Sequence, residues 1–361
     1  MLGLADSQAP LDRTLLDAPG GFAWWYMDLL DESGSGCVLI WSFGLPFLPG
    51  REGAARTGRP RTARQDPSLN IAVYQGGRPI LYLLQQSDES AADWAGAEGM
   101  RIGRSTLETS CAQGVRRLRA RLDVDLPDGR SLTGELRLEG SACVLPDGLP
   151  HDPRHQWSPL CTAAPGELEL QVDGRPLIAV RGRGYHDRNG STEPLHALGI
   201  RHWLWGRAPV GNGERIWYLL WPERGEPVAY GLEVDPSGAV RLLDGLEVRR
   251  SGARLGIFGM PWARRVALSH EGRPWLHIDH VDLVDNGFFY QRWLPRVTAP
   301  DGSVSRGVAE AVRPGRVDRA WNRWLVRMAV HQTHRPNSPF LPLFAGVRGR
   351  PALPAPAEVT A

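Results

Sequence analysis

LDVDLPDGRSLTGELRLEG, residues 122–140, is the stretch on which the fold is decided. Leu122, Val124 and Leu126 alternate with charged residues, and Leu132, Leu136 and Leu138 do the same on the far side of Pro127-Asp128-Gly129. Period-two alternation on both sides of a Pro-Asp-Gly turn specifies a β-hairpin. Just before it, GVRRLRARLDV (114–124) trades apolar residues with Arg, and further on LEVDPSGAVRLLDG (232–245) repeats the device around Asp235-Pro236-Ser237-Gly238. Towards the N-terminus the segments Phe22 to Leu30, Cys37 to Phe43, Leu69 to Tyr74 and Pro79 to Gln85 are short, apolar and bounded by turn residues. With 42 Gly and 30 Pro, few long helices can fit. The chain is therefore expected to be all-β, as sandwiches or up-and-down barrels and not as a βαβ sheet.

Two segments break this pattern. Residues 50–67, rich in Arg, Gly, Pro and Ala, show no apolar period and read as a mobile surface loop. VDRAWNRWLVRMAVHQTHR (317–335) reads as one C-terminal amphipathic helix, with Val317, Trp321, Trp324, Leu325 and Met328 on one face and Arg316, Arg319, Arg323 and Arg327 on another. Such a helix suits either an anionic membrane surface or a barrel wall with its Arg residues solvated. The following SPFLPLF (338–344) is a second apolar piece for lipid contact, and 341–361 reads as a disordered tail.

Of 361 residues, 42% are hydrophobic, enough for one large or two ordinary cores. A net charge of +2 without a basic run argues against nucleic-acid binding. Cys37, Cys111, Cys143 and Cys161 have neither zinc-ribbon nor close-pair spacing, which suits a reducing cytoplasm. The first residues lack a basic leader with an apolar core, so secretion is not expected. The longest apolar run, Cys37 to Pro49, is shorter than the roughly 20 residues of a membrane helix.

Chemistry concentrates in GRGYHDRNG (182–190). If extended, it points Tyr185 and Asp187 to one side and His186 and Arg188 to the other; an Asp facing an apolar interior stays protonated near neutrality and can act as an acid. If instead it turns, Asp187 caps backbone amides. RHQWSP (154–159) likewise puts His155 and Trp157 on one side of an extended segment that Pro159 ends. Together with Tyr185, Trp157 offers π faces to a developing cation. His277, Asp279, His280 and Asp282 invite a metal reading, but alternation splits them between two faces, so no metal is assigned. The 14 Trp residues fill a core or line an apolar tunnel. No nucleotide, zinc-protease or serine-hydrolase motif stands in a meaningful context, leaving cofactor-free catalysis as the expected enzyme class.

GGFAWWYMDLLDESGSGCVLIWSFG (20–44), HQWSP, GRGYHDRNG and FFYQRWLPRV (288–297), in this order, resemble the hydroxyneurosporene synthase, or carotenoid 1,2-hydratase, family. The resemblance implies two lipocalin-like β-barrel or β-sandwich domains, divided here into 12–198 and 199–340. It implies a cofactor-independent hydratase acting on the terminal C1,C2 double bond of an acyclic carotenoid, a hydrophobic polyene. Carried over by motif, its important residues are His155, Trp157, Tyr185 and Asp187, with Asp187 as proton donor and His155 a candidate for orienting or deprotonating water. A lipid-soluble substrate implies a cytoplasmic protein peripherally bound to the inner or intracytoplasmic membrane. Relatives place another residue between the Asn and the Gly of the second motif, whereas Asn189 is followed directly by Gly190, which implies a reshaped loop. The scaffold also resembles pericyclases acting on polyenes, and a non-enzymatic carrier of a hydrophobic pigment is a further alternative.

Overall fold

The computed structural model describes residues 3–5, 12–96, 99–147, 152 and 154–348. Two curled sheets, each a half-barrel, dominate the fold, with 61% of residues in strands and 10% helical. The first contains 14 strands and the second ten, mostly antiparallel neighbours in sequence order. Sheet membership changes between Ser191 and Ile200, and it changes back after Val312, when Val330–Gln332 pairs in parallel with Arg78–Gln86 of the first sheet. The expected hairpins form as read: Gly129 adopts a positive φ of 84° in the first turn, and Asp235 Oδ1 accepts from Ser237 N at 2.8 Å in the second.

Alternation explains why one strand can have both faces buried. In Phe22–Leu30, Trp25, Met27 and Leu29 point into the core of the first half-barrel. Phe22, Tyr26 and Leu30 point the other way, into the layer between the sheets. The Ile200–Val210 strand mirrors this, with Trp203 and Trp205 in the shared layer and Leu204 and Ala208 in the core of the second half-barrel. The molecule thus has two half-barrel cores and an aromatic layer between them, and that layer holds the site.

Several expectations are corrected. Residues 50–67 are not a mobile loop: Arg51–Arg56 is a helix whose buried Arg51 guanidinium donates to Asp66 Oδ2 and Gly21 O, each at 2.6 Å. Asp318 accepts from the Gly50 and Gly53 amides of that helix, tying it to the C-terminal segment. Pro159 does not end a strand; His155–Val172 runs on through two irregularities beside Pro159 and Cys161, where extra residues fit without breaking the pairing. The strand bearing GRGYHDRNG continues through Gly190 to Ser191, so no loop follows Asn189 directly. The C-terminal helix is shorter than read, Ala320–Met328, and buries Asn322 and Val326 while Trp321 and Trp324 are 72% and 61% exposed. Beyond it, Leu341–Leu343 forms a short turn and Gly346–Val347 pairs with Arg78–Gln86, so this part of the expected tail is structured; 349–361 lie outside the described residues. His280 Nδ1 engages Ala263 O and Asp279 accepts from Arg265, each side chain on its own face of the strand.

Candidate active site

GRGYHDRNG is extended, and its glycines let it run close to its neighbours: a Cβ at Gly184 would come 2.3 Å from Leu138 Cδ2. Antiparallel pairing sets Asp187 opposite Tyr26 on one side and beside Pro159 on the other, with Asn189 opposite both Trp24 and Trp157. Tyr185, Asp187 and Asn189 consequently share the inter-sheet face. Trp157 Nε1 and Tyr185 Oη both donate to Asp187 Oδ2 at 2.8 Å, and Asn189 Nδ2 donates to Oδ1 at 3.3 Å. No cation contacts the carboxyl among the described residues. Burial pushes Asp187 up to about 7; the Trp157 and Tyr185 hydrogen bonds pull against this, and the fields of Glu310 and Asp28 add to it.

Asp187, Asn189 and Trp157 open on a cavity of about 640 Å³ lined by Trp24, Tyr26, Trp203, Trp205 and Tyr218. The Tyr26 and Tyr185 rings each meet Trp205 of the second sheet, at 5.2 and 5.3 Å, while Trp157 meets Tyr218 at 5.2 Å. Two sheets are therefore needed to build the site. Ile257, Phe258, Phe288, Leu343 and Phe344 also line the cavity, and of these Ile257 and Leu343 are exposed to the outside.

Three of the four expected residues meet directly; His155 is linked to them only through the Asn189 side chain. Its ring packs against Phe22 and Trp24 at 5.9 and 6.5 Å, and it is not part of the cavity lining. Burial pushes it down to about 4, so it is neutral at physiological pH. His186, on the opposite side of the Asp187 strand, donates from Nδ1 to Tyr26 O at 2.8 Å and is likewise neutral.

Sequence reasoning missed a second polar group in the cavity wall. Register sets Trp205 opposite Glu310, Glu310 opposite Arg292 and Arg292 opposite Asp285, so the four line one face of the second sheet. Arg292 donates to Glu310 Oε1 at 2.8 Å, to Asp285 Oδ2 at 3.0 Å and to Tyr74 Oη at 2.6 Å. The only signal in the sequence was Arg292 within an otherwise apolar run.

The profile of the carotenoid hydratase CrtC family matches residues 54–338, which include Trp157, Tyr185, Asp187, Asn189, Trp205, Arg292 and Glu310 but not Trp24, Tyr26, Leu343 or Phe344. The chain belongs to the CrtC family. Over 330 residues this CrtC chain is 27% identical to the hydroxyneurosporene dehydrogenase of Chlorobaculum tepidum, covering 83% of this chain and 84% of that protein. It is 28% identical over 247 residues to the acyclic carotenoid 1,2-hydratase of Thiocapsa roseopersicina, covering 62% of this chain and 53% of that one, so the match spans about half the length of that hydratase. A protein of Nitrosomonas europaea assigned as an AttH superimposes with a TM-score of 0.59 over 86% of this chain and 99% of its own, at 15% identity. That likeness shows the two-sheet, lipocalin-like fold of the CrtC chain and nothing about its chemistry.

Proposed function

We propose that this CrtC-family chain adds water across the terminal C1–C2 double bond of an acyclic carotenoid such as neurosporene or lycopene, with Asp187 as the proton donor. The observation that carries the reading is a carboxyl pushed up to about 7 by burial in the wall of an aromatic cavity, with no cation beside it among the described residues. Because Oδ2 already accepts from Trp157 and Tyr185, the acidic proton sits on Oδ1. Transfer of that proton to C2 leaves a tertiary cation at C1, which water then captures. The two donors on Oδ2 stabilise the carboxylate as it forms. Trp24, Tyr26, Trp205 and Tyr218 present π faces to the cation, contacts that reach about 2 kcal/mol when desolvated. Protonation and capture change no oxidation state overall beyond the addition of water, so the proposal calls on no redox cofactor. His155, neutral and behind Trp24, acts as a positioning residue in this scheme and not as the group that deprotonates water.

Supplying neurosporene or lycopene to the protein and to Asp187→Asn tests this. Hydrated product from wild type and none from the variant is expected. No product from wild type with either carotene sinks hydration of these substrates, and full activity in the variant sinks the donor assignment.

The substrate reaches such a cavity from lipid. Ile257, Leu343 and Phe340 are 80%, 76% and 50% exposed, and Trp321 and Trp324 face outward on a helix carrying Arg319, Arg323 and Arg327. Apolar side chains with a basic surround suit the headgroup region of an anionic membrane. No helix among the described residues is long and apolar enough to cross a membrane. Peripheral association is expected as co-sedimentation with anionic vesicles that Trp321→Ser/Trp324→Ser weakens; equal sedimentation of both proteins would refute this surface.

A further inference from the structure

The site described so far has an acid but no base. Hydration requires the capturing water to lose a proton as its oxygen bonds to C1, and His155 does not line the cavity, Asn189 standing between its ring and Asp187. The same cavity carries a second polar group on its opposite sheet. Glu310, Arg292, Asp285 and Tyr290 all line it. Here two carboxylates share one fully buried guanidinium, Asp285 and Glu310 both pairing with Arg292. Within their field, the Tyr290 hydroxyl is buried without a hydrogen-bond partner among the described residues, and Arg292 lies 5.0 Å over its ring. A buried hydroxyl next to a carboxylate is a place for water, because each group leaves the other's remaining hydrogen-bonding capacity unfilled.

Glu310 and not Asp285 is the carboxylate nearer to the chemistry. It stands directly opposite Trp205 in the sheet, and Trp205 touches both Tyr185, which holds Asp187, and Tyr26, which pairs with Asp187. Its field is also felt at Asp187, Tyr26 and Tyr218, the walls of the reacting end. Asp285 is one strand further away, next to Arg292 on its other side, with Arg348 contributing positive charge near it.

We infer that Glu310, braced by Arg292 and accompanied by the Tyr290 hydroxyl, is the base that holds the nucleophilic water and takes its proton. The inference rests on the hydration reading. In the step, the Asp187 proton and the alkene π pair make the new C2–H bond. A lone pair of water then makes the C1–O bond, and the O–H pair left behind stays on oxygen as its proton passes to the Glu310 carboxylate. Asp187 is left as the anion and Glu310 as the acid, and proton exchange with solvent resets both. Acid and base thus act from opposite sheets, so the alkene is flanked by a donor and an acceptor.

The experiment runs the reaction with neurosporene in D₂O and measures two products: hydrated carotenoid, and unhydrated carotene that has gained deuterium at the terminal alkene because its cation formed and then reverted. The readout is their ratio, which loss of folded protein leaves unchanged. Glu310→Gln is expected to lower the ratio about 100-fold, the usual scale of a lost general base. Glu310→Asp is expected to recover a substantial part of it, and Tyr290→Phe to lower it several-fold. A wild-type ratio in Glu310→Gln overturns the assignment, as does loss of hydration and exchange in parallel in Glu310→Gln and Glu310→Asp. If Glu310→Gln yields no folded protein, the ratio in Glu310→Asp and Tyr290→Phe decides, and wild-type values in both overturn it. Absence of hydrated product from wild type refutes the hydration reading itself, whereas hydration by wild type with unaltered ratios refutes only the role of Glu310.

Discussion

Asp28 and Asp187 sit on neighbouring strands, each paired with the tyrosine beside the other: Asp28 opposite Tyr185, Asp187 opposite Tyr26. Both are buried, at 0% and 4% exposure, and both face the inter-sheet layer. Burial pushes both carboxyls up. Their partners differ. Asp28 receives the Arg207 guanidinium, from Nε at 3.2 Å and from Nη2, and Tyr26 Oη at 3.1 Å. Among the described residues Asp187 receives only neutral donors. A charge beside Asp28 makes it part of a brace: Arg207, from the second sheet, also holds Glu214, which accepts from Ala163 N of the first sheet at 2.9 Å. Its absence beside Asp187, among the described residues, leaves that carboxyl free to serve as the proposed acid. Under the same burial, a guanidinium ties one of these carboxyls into an ion-pair brace, whereas the other is left with the neutral partners that the proposed proton donor requires.

The sharpest way to break the comparison is to remove the ionisable group from the site that lacks a cation. Asp187→Asn is expected to reduce hydration by about 10³-fold or more, within the range for loss of a general acid, measured as product from neurosporene or lycopene. Next in size is the brace. Arg207→Met leaves Asp28 and Glu214 buried and without their cation, and it is expected to cost about 3–5 kcal/mol in chemical denaturation, read as a fall in the midpoint with the slope preserved. Arg207→Lys should not rescue it, since one ammonium cannot span both carboxylates as the guanidinium does.

The two carboxyls also differ in how pH acts through them. Asp187 titrates near 7 when folded and near its ordinary 3.8 when unfolded. Between those values the folded chain holds a proton that the unfolded chain has released, so its contribution to stability falls as pH rises, by about 1.4 kcal/mol per pH unit at full effect. Asp187→Asn, which never ionises, removes that fall. The inactive variant is therefore expected to be more stable than wild type at pH 8 and close to it at pH 4, in parallel denaturation curves. A variant less stable than wild type at pH 8 would show that Asp187 is held as a carboxylate, like a fastener.

How much of this could be read in the sequence depends on the range of the interaction. Alternation in GRGYHDRNG, once extended, puts Tyr185 and Asp187 on one side, and the hairpins at Pro127-Asp128-Gly129 and Asp235-Pro236-Ser237-Gly238 follow from local turn chemistry. Glu310 was invisible because VAEAV carries no motif; its meaning comes from register with Trp205 and Arg292, which no local period specifies. Arg51 was misread for a related reason. Its carboxylate partner Asp66 is 15 residues away, and the composition between them resembles a surface loop until a helix and a buried ion pair organise it. The face expected from hydrophobicity is split: Val317 and Met328 pack inward with Asn322 and Val326, while Trp321 and Trp324 turn outward.

The smallest expected effect sharpens the comparison most, because it alters the acid without removing it. Trp157 and Tyr185 each lower the Asp187 value by donating to its Oδ2, Trp157 more than Tyr185. Trp157→Phe and Tyr185→Phe delete one donor apiece and keep an aromatic wall. A hydrogen bond to a charged group is worth about 1.5–3 kcal/mol, and one pH unit corresponds to about 1.4 kcal/mol, so each loss should raise the Asp187 value by about one unit or somewhat more. Activity needs the protonated form, so its alkaline limb should move from about pH 7 towards pH 8 or beyond. The rate on the plateau below that limb should fall, because the carboxylate left after proton transfer is less well stabilised. A residue that merely supports the fold would lower the rate without moving the limb, whereas a donor to the reacting carboxyl must do both.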